Sequence, residues 1–284
     1  MVATTTDLAS LVAAVGGERV EVVSLVAPTA NPEDYQPRPR DLERLRIADA
    51  VIRVGLDFDL WLDKLLAQTG RGELRRSGAR HIDGSRGVAL LEIQAGGLGN
   101  HDGHAHGTGN PHYWLDPQNA AIITGSILEA LVRLDPAHAR AHEARRIRFL
   151  DQLESKLPAW HQQLAEVEAR ALIAHHNTWA YFARRFRLRF VGTIELREGV
   201  PPTAGHLAKL VAIGQKEKVA LIIRQPHEPA KDGEFLANRI GAKVLVLAAS
   251  IGAVPAAHDY FALFDHNIAL LARPPERPVS TKTQ

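Results

Sequence analysis

KVALIIRQPHEPAKDGEFLANRIGAKVLVLAAS, Lys218–Ser250, sets two apolar runs, KVALII and AKVLVLAAS, on either side of the segment KDGEFLANRIG. The runs are continuous rather than alternating, as in strands buried on both faces, and the segment between them reads as a helix stopped at Gly241. Two such strands with a helix crossing between them make a parallel pair, because a tight turn cannot join strands that point the same way.

Outward from this unit the alternation continues. Upstream lie ALIAHH (strand), NTWAYFARRF (helix), RFVGTIEL (strand) and TAGHLAKLVAIGQKE (helix); downstream a last helix runs from about Asp259 to Ala272. The N-terminal part repeats the pattern with different residues. VATTT (strand) is followed by DLASLVAAVGG (a helix with a Gly-Gly stop), RVEVVSLV (strand), PRDLERLRIA (short helix), DAVIRVG (buried strand) and DFDLWLDKLLAQTG (helix). The fold class expected is therefore α/β, with two α/β lobes built on mainly parallel sheets. Between them, NPHYWLD leads into a stretch that is nearly all helix-forming, opened by Asp116 as a cap and broken near Asp135 and Pro136. Residues 136–170 read as one long rigid helix joining the lobes. This gives an N-terminal lobe over 1–134, which includes a His-rich loop at 99–110, a connecting helix over 135–170 and a C-terminal lobe over 171–284.

Composition removes several classes of function. The chain has no cysteine, which excludes disulfides, thiolate metal sites and thiol chemistry, so any metal must be held by His, Asp, Glu or water. Thirty-four Lys and Arg against thirty-two Asp and Glu leave a net charge of +2 with the basic residues scattered, so neither nucleic acid nor a membrane surface is the expected partner. RRSGAR, the densest basic stretch, lacks interleaved aromatics. No apolar run approaches the roughly 20 residues that span a bilayer. The chain opens directly on a strand, which suits a mature secreted form whose signal has been removed, although a cytoplasmic protein would begin in the same way.

Ligands of open parallel sheets bind outside the carboxyl ends of the strands, which in a two-lobed protein means the cleft between lobes. Three residues meet that condition. His176 stands where ALIAHH turns into the next helix, with His175 beside it pointing to the opposite face; capping or core packing is the plain alternative for either. Glu33 lies in NPEDYQPRPRD after the second strand, in a loop stiffened by Pro32, Pro37 and Pro39, where Glu33 and Asp34 would otherwise be solvated carboxylates. His112 is flanked by Pro111, Tyr113 and Trp114. Two imidazoles and one carboxylate form a donor set suited to Zn²⁺ and acceptable to Mn²⁺ or Fe²⁺.

TTDLASLVAAVGG, NPEDYQPRPRDLERLRIADAVIRVG, NPHYWLDPQNA after a His-rich loop, HHNTWAYFARRF, and the tail from IGAKVLVLAAS to DYFALFDHN resemble the metal-binding receptors of bacterial zinc and manganese ABC transporters, through nearly the whole chain. The resemblance implies a periplasmic or lipid-anchored solute-binding protein, a monomer, that is not an enzyme and delivers a metal to a membrane permease. It also implies a cleft metal held by three His or Glu positions and an aspartate. Here these fall on Glu33, in place of the usual histidine, on His112, on His176 and on Ala249, which cannot ligate. The fourth donor is then His227, Gln225 or Glu228 of the RQPHEP segment, a loop histidine, or water. Charge is conserved by the exchange: three histidines with an aspartate leave Zn²⁺ at net +1, and so do Glu33, His112 and His176.

His101, His104 and His106 sit among Gly, Asp and Ala, a context that costs much entropy to order. The resemblance implies a loop that collects zinc weakly, with Asp102 as a further donor, against the plain reading of a non-essential insertion. His138, His142 and His161 on the long helix are expected to face solvent, although His138 and His142 are spaced i, i+4; His206, His258 and His266 have no partner at ligand spacing. Two other classes remain in view. One is a metal-dependent hydrolase with an open coordination position and Glu228 or Asp34 as base, and the other is an adhesin or metal buffer of the same fold.

Overall fold

The computed structural model describes residues 1–92, 109–168, 170–197 and 199–273. His101, His104 and His106 lie outside the described residues.

Two four-stranded parallel sheets carry the fold. The first contains β1 (Val2–Ala3), β2 (Val23–Ser24), β3 (Val51–Arg53) and β4 (His81–Asp83) in the order β2-β1-β3-β4. Its helices are α1 (Thr6–Gly16), α2 (Pro39–Ile47) and α3 (Trp61–Gln68). The second contains β5 (Ala171–Ala174), β6 (Arg189–Thr193), β7 (Leu221–Arg224) and β8 (Lys243–Val246) in the order β6-β5-β7-β8. Its helices are α6 (Ala180–Phe186), α7 (Ala204–Lys216), α8 (Ala230–Ile240) and the terminal α9 (Tyr260–Ala272). In each sheet the chain leaves the first strand to one side and then returns to the other. The carboxyl ends of β1 and β5 are thus the places where connections diverge and leave room for a ligand.

Local chemistry explains the boundaries. Thr5 caps α1, its hydroxyl accepting from the Leu8 amide. The helix ends at Gly17, whose φ of +59° suits glycine and whose missing side chain leaves room for the Arg145 guanidinium. The Lys218–Ser250 unit forms as expected, with α8 closed by Gly241 in the left-handed region. The strands are shorter than their apolar runs: VATTT contributes two ladder residues, and β4, with polar His81 and Asp83 flanking one buried isoleucine, carries too little pattern to be read from sequence.

Between the sheets run α4 (Asn119–Leu134), a 3-10 turn at Pro136–His138, and the 26-residue α5 (Ala139–Leu164). At about 1.5 Å per residue α5 is roughly 39 Å long, enough to pass along both lobes. It lies against α1, α4 and α9 and buries Phe149, Leu153, Trp160 and Leu164. Two expectations need correction here. The cap of α4 is Gln118, not Asp116; the buried Asp116 carboxylate instead accepts from the Gln118 amide and takes both arms of Arg185 at 2.7 and 2.9 Å. His142 does not face solvent: it is fully buried, its Nδ1 3.3 Å from the Val15 carbonyl and its Nε2 3.4 Å from Asp135, because α5 turns that face toward the end of α1.

One continuous apolar core runs through both lobes, from Ala3 and Leu8 to Phe264 and Leu271, and includes Trp114, Trp160 and Trp179. Smaller clusters fill the outer face of each sheet. Polar contacts join the lobes as well: the Ile251 amide donates to Asp7 at 3.0 Å, Trp114 Nε1 to the Ala249 carbonyl at 2.9 Å, and the Tyr260 hydroxyl to the Trp114 carbonyl at 2.8 Å. Among the described residues no helix is long and apolar enough to cross a membrane.

Candidate metal centre

Glu33 enters the cleft from the loop after β2. Its amide donates to Asn31 Oδ1 at 3.0 Å, closing a turn of the kind Asn makes with its own backbone. The far end of the loop is pinned by the buried Asp41 carboxylate, which accepts from the Tyr35 hydroxyl at 2.7 Å and the Arg38 amide at 2.8 Å at the start of α2. The prolines restrict the backbone between these anchors, so the carboxylate is held from both sides.

His112 immediately precedes the 3-10 turn Tyr113–Leu115 and is 4% exposed. Asn110 Oδ1 accepts from its backbone amide at 3.0 Å and lies 3.1 Å from its Nδ1. An amide oxygen can only accept, so Nδ1 carries the proton and Nε2 is the ring nitrogen whose lone pair can ligate. That Nε2 faces Glu33 Oε1 at 3.2 Å. His176, at the end of β5, places its Nε2 3.7 Å from the same carboxylate oxygen. One donor atom from each of Glu33, His112 and His176 lies within 4.8 Å of the others.

These separations fit a tetrahedral ion. Zinc–nitrogen and zinc–oxygen bonds of about 2.0–2.2 Å put neighbouring donors about 3.3 Å apart. The two measured contacts lie within a few tenths of an ångström of that edge. Moreover, an imidazole lone pair directed at a carboxylate oxygen is repulsive unless a proton or a cation lies between them.

The walls are aromatic. Phe58 packs edge-on against His112 and against Trp114, with ring centroids 5.5 Å apart in each case, and Trp114 lies 5.4 Å from His112. Phe58 reaches this position because the chain after β3 takes three successive positive φ values at Gly55, Leu56 and Asp57. Leu56 and Asp57 are strained there. The buried Asp59 carboxylate holds the turn by accepting from the Val54 amide at 2.7 Å, the Gly55 amide at 3.2 Å and Arg53 Nε at 2.8 Å. Phe58 and Trp114 thus wall the cleft on the His112 side.

The other expected donors stand differently. His227 is half-buried beside the three and does not join their cluster. Burial pushes its pKa down, assisted by His175 and His112, against the pull of Glu33 and Glu195, so its ring is neutral at pH 7. Gln225 and Glu228 are turned to each other: the Glu228 carboxylate accepts from the Gln225 amide and side chain, and Gln225 also donates to Thr178 at 2.9 Å. Ala249 is buried, and its carbonyl is taken by Trp114. Sequence reasoning missed Glu195, just past β6, whose Oε1 lies 3.4 Å from His175 Nε2. The signal was available, since RFVGTIEL carries a carboxylate, Glu195, at a strand's carboxyl end.

Comparison with known proteins gives the family of the chain. Residues 1–273 match the family model described as zinc-uptake complex component A, periplasmic. The chain is 24% identical over 240 residues to the high-affinity zinc uptake system protein ZnuA of Bacillus subtilis, covering 81% of this chain and 72% of that one. It is 23% identical over 286 residues to the iron-binding protein YfeA of Yersinia pestis, covering 96% and 85%. A crystal structure of a ZnuA superposes with a TM-score of 0.79 at 27% identity, covering 95% of this chain and 96% of the other.

Proposed function

Because the chain belongs to the ZnuA family of periplasmic zinc-uptake components, we propose that it captures Zn²⁺ between its lobes on Glu33, His112 and His176 and passes the ion to an ABC transporter permease. The observation that carries this reading is the convergence of three donors from separate elements, two in the first lobe and one in the second, within 4.8 Å of one another and with both imidazoles 3.2–3.7 Å from the Glu33 carboxylate. Donor number and type select the metal. Mn²⁺ and Mg²⁺ favour six-coordinate, oxygen-rich surroundings, whereas two imidazoles and one carboxylate suit four-coordinate Zn²⁺. Fe²⁺ is the second candidate, on the carboxylate at position 33 and the likeness to an iron-binding relative. The fourth position falls to His227, whose neutral ring needs only to swing inward, or to water. Glu228 is committed to Gln225 and offers no general base. The protein acts as a monomer outside the cytoplasm, free or lipid-anchored.

Titration of metal-free protein with Zn²⁺ and Mn²⁺ in competition tests the reading. One Zn²⁺ per chain should bind tightly and resist displacement by excess Mn²⁺; an equal or stronger response to Mn²⁺ would overturn the zinc assignment. His227→Ala weakens binding if the ring is the fourth ligand, and an unchanged affinity assigns water instead. His101, His104 and His106 supply a separate, weaker collecting site. Deleting residues 100–108 should therefore leave the tight equivalent intact and remove only weaker ones, as read by the stoichiometry at high zinc.

A further inference from the structure

β6, β5 and β7 are neighbours in the second sheet, and each ends on a metal-binding side chain or leads into one: Glu195 after β6, His175 after β5, His227 after β7. The first two are already together, with His175 Nε2 3.4 Å from Glu195 Oε1, close to the roughly 3.3 Å edge expected for two donors on one tetrahedral zinc. Both side chains are set by the sheet. The His175 amide donates to the Ile223 carbonyl at 2.7 Å, and the Glu195 amide donates to the His175 carbonyl at 2.8 Å, so backbone bonds fix both positions.

His175 is 1% exposed, and among the described residues neither ring nitrogen meets a hydrogen-bond partner in good geometry, Nε2 having only the 3.4 Å approach to Glu195. A buried imidazole left without hydrogen bonds is costly, and such a group calls for a water or an ion to complete it. The Glu195 carboxylate set against the ring at 3.4 Å favours a cation over a water at this point.

We propose that His175 and Glu195 form a second divalent-metal position beside the Glu33–His112–His176 site, completed by His227. The His227 ring is close enough to feel groups of both, Glu33 and His112 on one side and His175 and Glu195 on the other. The second position rests on the receptor reading only in adjoining the first ion. With one carboxylate and two neutral imidazoles it also leaves Zn²⁺ at net +1. Having two donors preset and the third still to move, it fills after the first. An ion there stands on the second lobe alone, while the first site needs both lobes, so the pair provides a staging point through which metal can enter or leave without separating the lobes.

Crystals of the full chain soaked in excess Zn²⁺ and measured across the zinc absorption edge should show two anomalous peaks. One lies among Glu33, His112 and His176, and the other within about 2.0–2.2 Å of His175 Nε2 and Glu195 Oε1. Glu195→Gln, which keeps size and removes charge, should abolish the second peak and one weaker equivalent in solution titration while sparing the first. A peak at the first position only, at saturating zinc, overturns the second position and leaves the receptor reading standing. Peaks at neither position overturn both.

Discussion

His112→Ala and His176→Ala should each weaken Zn²⁺ binding by at least ~100-fold, with the folded structure retained. Loss of a side chain that merely orients a metal ligand costs about 10–100-fold in affinity, and loss of the ligand itself costs no less. The same scale grades a third variant. Asn110 touches no metal donor site directly, but its Oδ1 fixes which His112 nitrogen carries the proton, and its Nδ2 bonds the Asn177 carbonyl at 2.9 Å beside His176. Asn110→Ala should fall between wild type and the two histidine variants, by about 10-fold. Glu33→Gln probes charge separately from geometry, because the amide keeps an oxygen in reach while the site rises from net +1 to +2 with Zn²⁺ bound. Competition against a chelator of known affinity reads all four. Full affinity in both histidine variants would remove the cleft site, and an Asn110 effect as large as theirs would make it a structural residue rather than an orienting one.

Much of this was legible in the sequence, for reasons that also mark where legibility stops. The Lys218–Ser250 unit announces a parallel pair because its strands are apolar throughout and Gly241 ends its helix. Glu33 and His176 follow from the strand-end rule, and His112 from the rigid residues around it. His142 was misread because helical periodicity shows that a face exists without saying which neighbour covers it; α1, more than a hundred residues away, covers this one. Glu195 escaped because its partner is set by sheet order, not by spacing along the chain. Ala249 was read only as a missing ligand, whereas its carbonyl anchors Trp114 and, through it, the wall behind His112. Backbone roles of this kind leave no trace in residue identity.

The largest expected stability effect sits in the same inter-lobe seam. Asp7, at the start of α1, is completely buried and accepts the Ile251 amide through Oδ1 at 3.0 Å. Burial raises its pKa from 3.8 to about 7, against the opposing pull of hydrogen bonds from Ile251, its own amide and Ser250. The folded protein therefore binds a proton between about pH 4 and pH 7 that the unfolded chain has released, so this group lowers stability as pH rises through that window. Its contribution is complete below the unfolded value and is lost as pH passes the folded one; a shift of about 3 units corresponds to roughly 4 kcal/mol. Asp7→Asn keeps an oxygen for the Ile251 amide and cannot ionise, so it stays in the neutral form throughout. Metal-free variant and wild type should unfold at similar urea concentrations at pH 4.5, and the variant should be the more stable by pH 8. Metal must be absent because zinc binding stabilises the folded state and is itself pH-dependent. Parallel stability profiles for the two proteins from pH 4.5 to 8 would show that Asp7 keeps an ordinary carboxylate pKa in the seam. Divergence would show that the contact between α1 and the segment after β8 holds this carboxyl neutral up to about pH 7, two residues from the carbonyl that anchors Trp114.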